Sequence, residues 1–207
     1  MLRRSMTFGP GNRSIGRRRV VGAATTVCVV IAVLMIFADG ANAQSGDAER
    51  VGPVYDPTSK SYFEIRDYSH IKPPGRNWAN INKHVKQLTF KGVQGRLAII
   101  RSPETHQFVQ GNVLKDANGY VEAVWIGLRL FCRGMKQLWV DGHVRRKGDF
   151  AAWSRRWYRN ETATCMNQNF QYMPVYYGRK GSSWRWQASG QIKNFAHVLM
   201  EYPTGEE

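Results

Sequence analysis

Residues 61–68, SYFEIRDY, set Tyr62, Glu64, Arg66 and Tyr68 against Phe63, Ile65 and Asp67. That period of two predicts a strand, and the Pro73-Pro74-Gly75 cluster that follows ends it. Asn77 is a cap residue for a helix predicted over 78–90, in which Trp78, Ile81, Val85 and Leu88 fall on one stripe at helical spacing. Gly92 and Gly95 terminate that helix and lead into a short apolar strand over 96–100. Ser102, Pro103 and Glu104 then supply a cap, a proline for the first turn and an acid near the positive end of a helix dipole. The second helix carries Phe108, Val109 and Leu114.

From Gly119 the pattern changes to apolar and aromatic runs separated by glycines and charges. Strands are predicted over 121–130, 136–141, 173–178, 182–188 and 194–202. Two helices followed by a run of strands argue for an α+β domain with segregated elements and small antiparallel sheets, not for alternating βαβ units. Between Gly142 and Tyr172 there is little periodicity. A loop of that length in a compact domain is usually functional or disordered.

The chain is 207 residues long, which suits one domain. Its first 43 residues do not read as part of that domain. Arg3, Arg4, Arg13, Arg17, Arg18 and Arg19 precede an apolar run over 20–37, and Ala41-Asn42-Ala43 has the small-x-small form of a signal-peptidase site. The expectation is an export signal over 1–43, with an uncleaved membrane anchor as the alternative. Residues 44–59 then form a linker, 60–203 the domain and 204–207 a tail.

Without residues 1–43, 24 Lys and Arg face 14 Asp and Glu, a net charge of +10. Such a surplus attracts polyanions, including acidic polysaccharide, anionic headgroups and nucleic acid, although nothing beyond charge favours nucleic acid. Cys28 lies in the signal, which leaves Cys132 and Cys165 together in an oxidising compartment and predicts a disulfide between them.

Four motifs now carry a resemblance. The segments RLAIIRSPETHQFV, VWIGL and LWVDG, with the closing WRWQASGQIKNFAHVLMEYP, together resemble the C-type lectin-like domain, in the order and at the spacing of that family, over about residues 60–203. The resemblance implies a C-type lectin-like fold with two helices, small antiparallel sheets and a long loop region. The residues of Trp125 to Gly142 explain the recurrence by packing alone. Trp125, Ile126 and Leu128 bury along a strand, Gly127 admits a close neighbour, and Asp141-Gly142 turns the chain.

The departures bear on function. The family's usual cysteines are missing around His84 and Val85 and in HVLMEY, so the bridge between Cys132 and Cys165 is non-standard. Sugar-binding members hold Ca²⁺ through Glu-Pro-Asn or Gln-Pro-Asp in the long loop and Trp-Asn-Asp near the end. Here Trp184-Arg185-Trp186-Gln187 stands at the second place, and the loop offers only Asp149 and Glu161 as carboxylates. Ca²⁺ takes about six to eight oxygen ligands, so no cofactor or metal is expected.

The long loop instead interleaves Arg145, Arg146, Lys147, Arg155, Arg156 and Arg159 with Trp153, Trp157 and Tyr158; Arg179, Lys180 and Arg185 lie just beyond. Tryptophan can stack on sugar faces and arginine binds carboxylate or sulfate bidentately. The expected ligand site is therefore Arg145, Arg146, Trp153, Arg155, Arg156, Trp157, Arg159, Trp184, Arg185 and Trp186. The opposing reading is that the tryptophans pack the loop and the arginines are merely solvated; Trp184 and Trp186, two apart on one strand face, are either a core pair or a platform.

The five histidines show no metal spacing, and no nucleophile elbow or phosphate loop is present, so no enzyme is expected. Asn160-Glu161-Thr162 matches a glycosylation acceptor. The resulting expectation is an exported or surface lectin-like adhesion module that binds carbohydrate, acidic glycans above all, without calcium. The alternative is a protein-binding or structural lectin-like domain, with membrane contact only through an uncleaved N-terminus.

Overall fold

Three pieces of backbone converge on the strand that carries Trp125, and their convergence sets the layout. The computed structural model describes residues 51–117, 119–155, 165, 170–181 and 183–205; the expected export segment lies outside them. Strand β6 (Ala123–Phe131) is central. It pairs antiparallel with β7 (Lys136–Trp139) on one side and with β9 (Tyr172–Lys180), and parallel with β11 (His197–Tyr202) over two residues, His197 and Val198.

The sheet extends outward from there. β11 pairs with β2 (Ser61–Asp67), and β2 with β1 (Val51–Asp56). β9 pairs with β10 (Ser183–Ala188), and β7 with β8 (Val144–Arg145). The short β5 (Arg96–Leu97) pairs with β11 and enters the gap where β11 and β6 diverge. There the Ala98 amide donates to Leu199 O (2.9 Å) and the Gly127 amide to Ala98 O (2.8 Å). A Cβ on Gly127 would lie 2.6 Å from Leu97 O and 2.8 Å from Val140 Cγ2. The close approach expected at this glycine is thus the passage of residues 97–98.

The predicted helices form where their caps place them. In α1 (Trp78–Val85) the Asn77 side chain accepts from the Asn80 amide at 2.9 Å, and Trp78, Ile81 and Val85 are buried. Trp78 Nε1 donates to Ile126 O (2.7 Å), which fixes the helix to the central strand. In α2 (Pro103–Asn112) Ser102 accepts from the Thr105 amide at 3.1 Å, and Thr105, His106 and Val109 are buried. Two apolar clusters result: one around Trp78, Trp125 and Tyr202, the other around Ile126, Trp139, Tyr177 and Trp186.

Several features differ from the sequence reading: α2 ends at Asn112, before the expected Leu114, and the strand expected over 96–100 ends at Leu97. The first helix stops at Val85; Thr89–Phe90 (β3) and Val93–Gln94 (β4) form a hairpin, because Lys91 and Gly92 both take positive φ, 49° and 76°, as a two-residue hairpin turn requires. The expected linker 44–59 supplies β1, since Val51, Val54 and Tyr55 have apolar surface to pack against and an edge strand tolerates Pro53. Its turn is tied by Asp56, which accepts from the Thr58 amide (3.0 Å) and the Ser59 hydroxyl (2.8 Å). The expected tail folds back, with the Gly205 amide donating to Lys60 O at 2.9 Å. The sheets, expected to be small and antiparallel, are a nine-stranded sheet with one parallel pair and the β3–β4 hairpin.

Cys132 and Cys165 are bonded, as the cysteine count predicted, with Cα atoms 5.2 Å apart and both residues buried. The bridge closes 33 residues of chain. By loop entropy it stabilises the fold by about 3–4 kcal/mol.

Two outcomes follow for stability. Replacing both cysteines by serine lowers the unfolding free energy by roughly that amount in urea titrations, whereas adding reductant to the double variant changes nothing further. Gly127→Ala destabilises by about 1–3 kcal/mol through overpacking against backbone, while Gly111→Ala, with open space at its Cβ in α2, stabilises by about 0.5–1 kcal/mol.

Candidate functional site

The long segment after β7 is organised first by local turns. The Asp141-Gly142 turn closes as expected: the His143 amide donates to Asp141 Oδ1 (3.1 Å), the Gly142 amide to Trp139 O (3.0 Å), and Gly142 has φ 90°. Arg101 pairs with Asp141. Burial alone would raise the Asp141 pKa, but the His143 amide and the Arg101 guanidinium outweigh it and hold the carboxyl below its usual range. After β8 a second turn forms, with the Arg146 amide donating to Asp149 Oδ2 (2.7 Å).

Arg145 crosses that turn from inside. Its Nε donates to Phe150 O (2.8 Å), Nη2 to Asp149 O, and Nη1 to Gln137 Oε1 (3.4 Å). This arginine therefore shapes the loop and holds a positive charge at its wall. Arg101, Trp139, His143, Arg145, Asp149 and Phe150 together line a cleft of about 200 Å³.

Residues 152–154 next run alongside β10. The Trp186 amide donates to Ala152 O (2.8 Å), the Ser154 amide to Trp186 O (2.9 Å), and Trp153 and Trp186 pair in parallel. Trp186 is the hub of an aromatic nest. Trp139, Phe150 and Trp153 meet it edge-on at 5.7, 5.6 and 5.8 Å, and Tyr177 at 6.5 Å.

This nest corrects the expected site. Trp186 is 0% exposed and Trp184 2%, so both are the core pair and neither can offer a ring to a ligand. Strand alternation turns them inward with Ala188, and leaves Arg185 outside. Trp153 is half-buried and packs the loop onto Trp186. Arg146, Arg155 and Arg185 are exposed, as is Lys147. Arg156, Trp157 and Arg159, with the acceptor tripeptide at Asn160, lie outside the described residues.

A polar cluster that the sequence did not signal joins the loop to α2. His106 Nδ1 is 2.6 Å from Tyr177 Oη, and its Nε2 is 2.5 Å from Gln110 Nε2 and 3.3 Å from Arg185 Nη1. Gln110 Oε1 accepts from the Trp184 amide (3.2 Å), which turns the Gln110 NH₂ toward His106. Two donors on Nε2 make it the acceptor, so the neutral ring carries its proton on Nδ1 and donates to the tyrosine. Burial, with the Arg185 charge beside it, lowers the His106 pKa to about 4, and burial raises that of Tyr177. The His106 ring also lies 5.3 Å from Phe150. Phe150 thereby links Arg145, in the loop, with His106 and Arg185; the only trace in sequence was the i, i+4 spacing of His106 and Gln110.

The side chains lining the cleft bring the Arg101 and Arg145 guanidinium groups together with His143 and the Asp149 carboxylate. Of the two loop carboxylates, Asp149 accepts from the Arg146 amide, with Arg145 alongside, and Glu161 lies outside the described residues; Asp141, just before the loop, is paired with Arg101. Among the described residues no group of three or more His, Cys, Asp or Glu side chains could hold a metal ion. A cation in this cleft would meet guanidinium groups instead of the several charged oxygens it needs.

His106 sets a pH dependence of stability. Its folded pKa of about 4 lies below the unfolded value of about 6.5, so between these the unfolded chain binds more protons. Stability is complete above pH ~6.5 and falls as pH drops through that window toward 4. Urea midpoints measured across it should drop for the native chain and drop less for His106→Gln.

In solved structures this architecture recurs. The chain is similar to the SPL-1–GlcNAc complex, with 16% identity over 70% of this chain and 88% of that one and a TM-score of 0.50. It is similar to CEL-IV at 17% identity over 72% of this chain and 92% of that one, with a TM-score of 0.52. No protein-family model and no curated protein sequence matches it. At such identities the likeness concerns the path of the backbone and says nothing of the ligand.

Proposed function

We propose that this domain of C-type lectin-like fold is an exported module that binds acidic glycans without calcium, through the cleft under the loop and the arginines around it. The observation that carries the reading is the cleft of about 200 Å³ with Arg101, His143 and Arg145 on its wall, Phe150 beside them, and its one carboxylate, Asp149, already accepting from the Arg146 amide. An anionic sugar ring brought there has an aromatic surface for its C–H face and guanidinium groups for its carboxylate or sulfate.

Three features support the chemistry. Arg145 is held at the wall by its bonds to Phe150 O and Asp149 O, so its charge is preorganised. Arg185 is exposed and oriented by neutral His106. Arg146, Lys147 and Arg155 add exposed positive charge along the same segment, and the net charge of +10 outside residues 1–43 speeds the encounter with a polyanion. Export rests on the arginine-rich, apolar, small-residue pattern of residues 1–43.

A glycan array probed with and without EDTA tests this. Uronate- or sulfate-bearing glycans should be retained equally in both conditions, and Arg155→Ala with Arg185→Ala should weaken retention about tenfold, as expected when charge-assisted hydrogen bonds are lost. Loss of binding on chelation, or no acidic glycan above background, overturns the proposal. Affinity that tracks polymer charge alone, equal for heparin and polyglutamate, also counts against it.

A further inference from the structure

We infer that a second, larger cleft, on the opposite face of the β9–β10 hairpin from the Trp186 nest, binds uncharged oligosaccharide. This site is separate from the acidic-glycan cleft and does not depend on it. Its volume is about 630 Å³, within the range of about 300–1,000 Å³ typical of small-molecule sites.

Strand alternation builds it. Val175, Tyr177, Trp184, Trp186 and Ala188 turn into the core, so Tyr176, Gly178, Arg185 and Gln187 start from the other face, with the Arg185 guanidinium directed to His106. Register places Tyr176 opposite Gln187, and Gly178 opposite Ala123 at the start of β6. Phe195, from the segment before β11, closes one side; its ring is 4.6 Å from that of Tyr176. Buried Trp125 supports both, at 4.5 Å from Phe195 and 5.9 Å from Tyr176. The half-buried faces of Tyr176 and Phe195 thus form a rigid aromatic wall.

The polar groups are equally fixed. Tyr176 Oη donates to Gln187 Oε1 at 3.0 Å. The Gln187 amide lies across Gly178, where a Cβ would fall 2.3 Å from Nε2. Gly178 is therefore a glycine because the amide needs its space. On the rim, the Arg179 amide donates to Glu122 O (3.0 Å), and Arg179 Nε donates to Gly181 O (3.1 Å). Glu122 and Arg179 are exposed. They bring one negative and one positive charge to the same cleft.

This chemistry selects an uncharged pyranose chain. Sugar C–H faces rest on the aromatic wall, while vicinal hydroxyls donate to Glu122 and accept from Arg179 and the Gln187 amide. Among the lining residues Glu122 offsets Arg179, so a polyanion gains little from them. A peptide strand finds no open edge, since β9 is hydrogen-bonded to β6 on one side and β10 on the other.

The test is isothermal titration of the full chain with chitotriose, cellotriose and maltotriose in about 1 M NaCl, where screening over roughly 3 Å suppresses attraction at the arginine cleft. At least one trisaccharide should saturate, with affinity weakened about tenfold by Glu122→Ala and by Gln187→Ala and unchanged by Lys83→Ala, an exposed position on α1 away from the cleft. Glu122 is exposed, so its variant reports on binding even where Gln187→Ala perturbs the hairpin; circular dichroism confirms the fold of each. If none of the three sugars saturates, or if Glu122→Ala binds as tightly as the native chain, the inference is overturned. An outcome in which acidic glycans fail on the array while a neutral trisaccharide binds here sinks the first site and leaves this one standing.

Discussion

The contact at Gly127 governs this molecule. β6 and β11 run parallel for two residues and must then separate, and what separates them is the backbone of residues 97–98. That backbone accepts from the Gly127 amide, while Gly127 O accepts from Val140 (2.8 Å). One missing side chain lets three segments share a crossing, and any Cβ there would press on two carbonyl oxygens. With the crossing fixed, α1 is placed by the bond from Trp78 to Ile126 O, and β7 is led toward the Asp141 turn. The long loop departs from that turn, so its position is inherited from the crossing.

The loop is then held by means that leave its charges outward. Trp186 gathers Trp139, Phe150 and Trp153 around it, Arg145 ties the turn over 146–149, and the disulfide anchors Cys165 to the end of β6. Aromatic surface is used internally because a segment of this length has little other apolar material with which to offset its ordering entropy. Arg146, Lys147 and Arg155 flank those rings and are exposed, while Arg145 is turned inside. Neutral His106 completes the arrangement, since a protonated ring could accept from neither Gln110 nor Arg185.

The β9–β10 hairpin separates two environments only one sheet thick. On one face lie the Trp186 nest and the arginine cleft beside it; on the other lie Tyr176, Phe195 and Gln187 with a rim of balanced charge. Alternation along two strands is enough to produce this division.

Local sequence determined the helix caps at Asn77 and Ser102, the strand around Trp125, the Asp141-Gly142 turn, the α+β class, the lectin-like motifs and the cysteine pair, because each depends on neighbours in the chain or on simple counting. Tertiary structure decided the rest. Only the pairing of β1 with β2 showed that residues 51–56 are a strand, and only the Lys91-Gly92 turn stopped α1 early. Whether Trp184 and Trp186 form a platform or a core was open in sequence, since alternation tells which residues share a face but not which face is covered. Packing of residues 150–153 over that face settled it. The meeting of His106, Phe150, Arg145 and Arg185, and that of Glu122, Arg179, Gln187 and Phe195, join residues far apart in the chain, and no local pattern records a contact made only when the sheet closes.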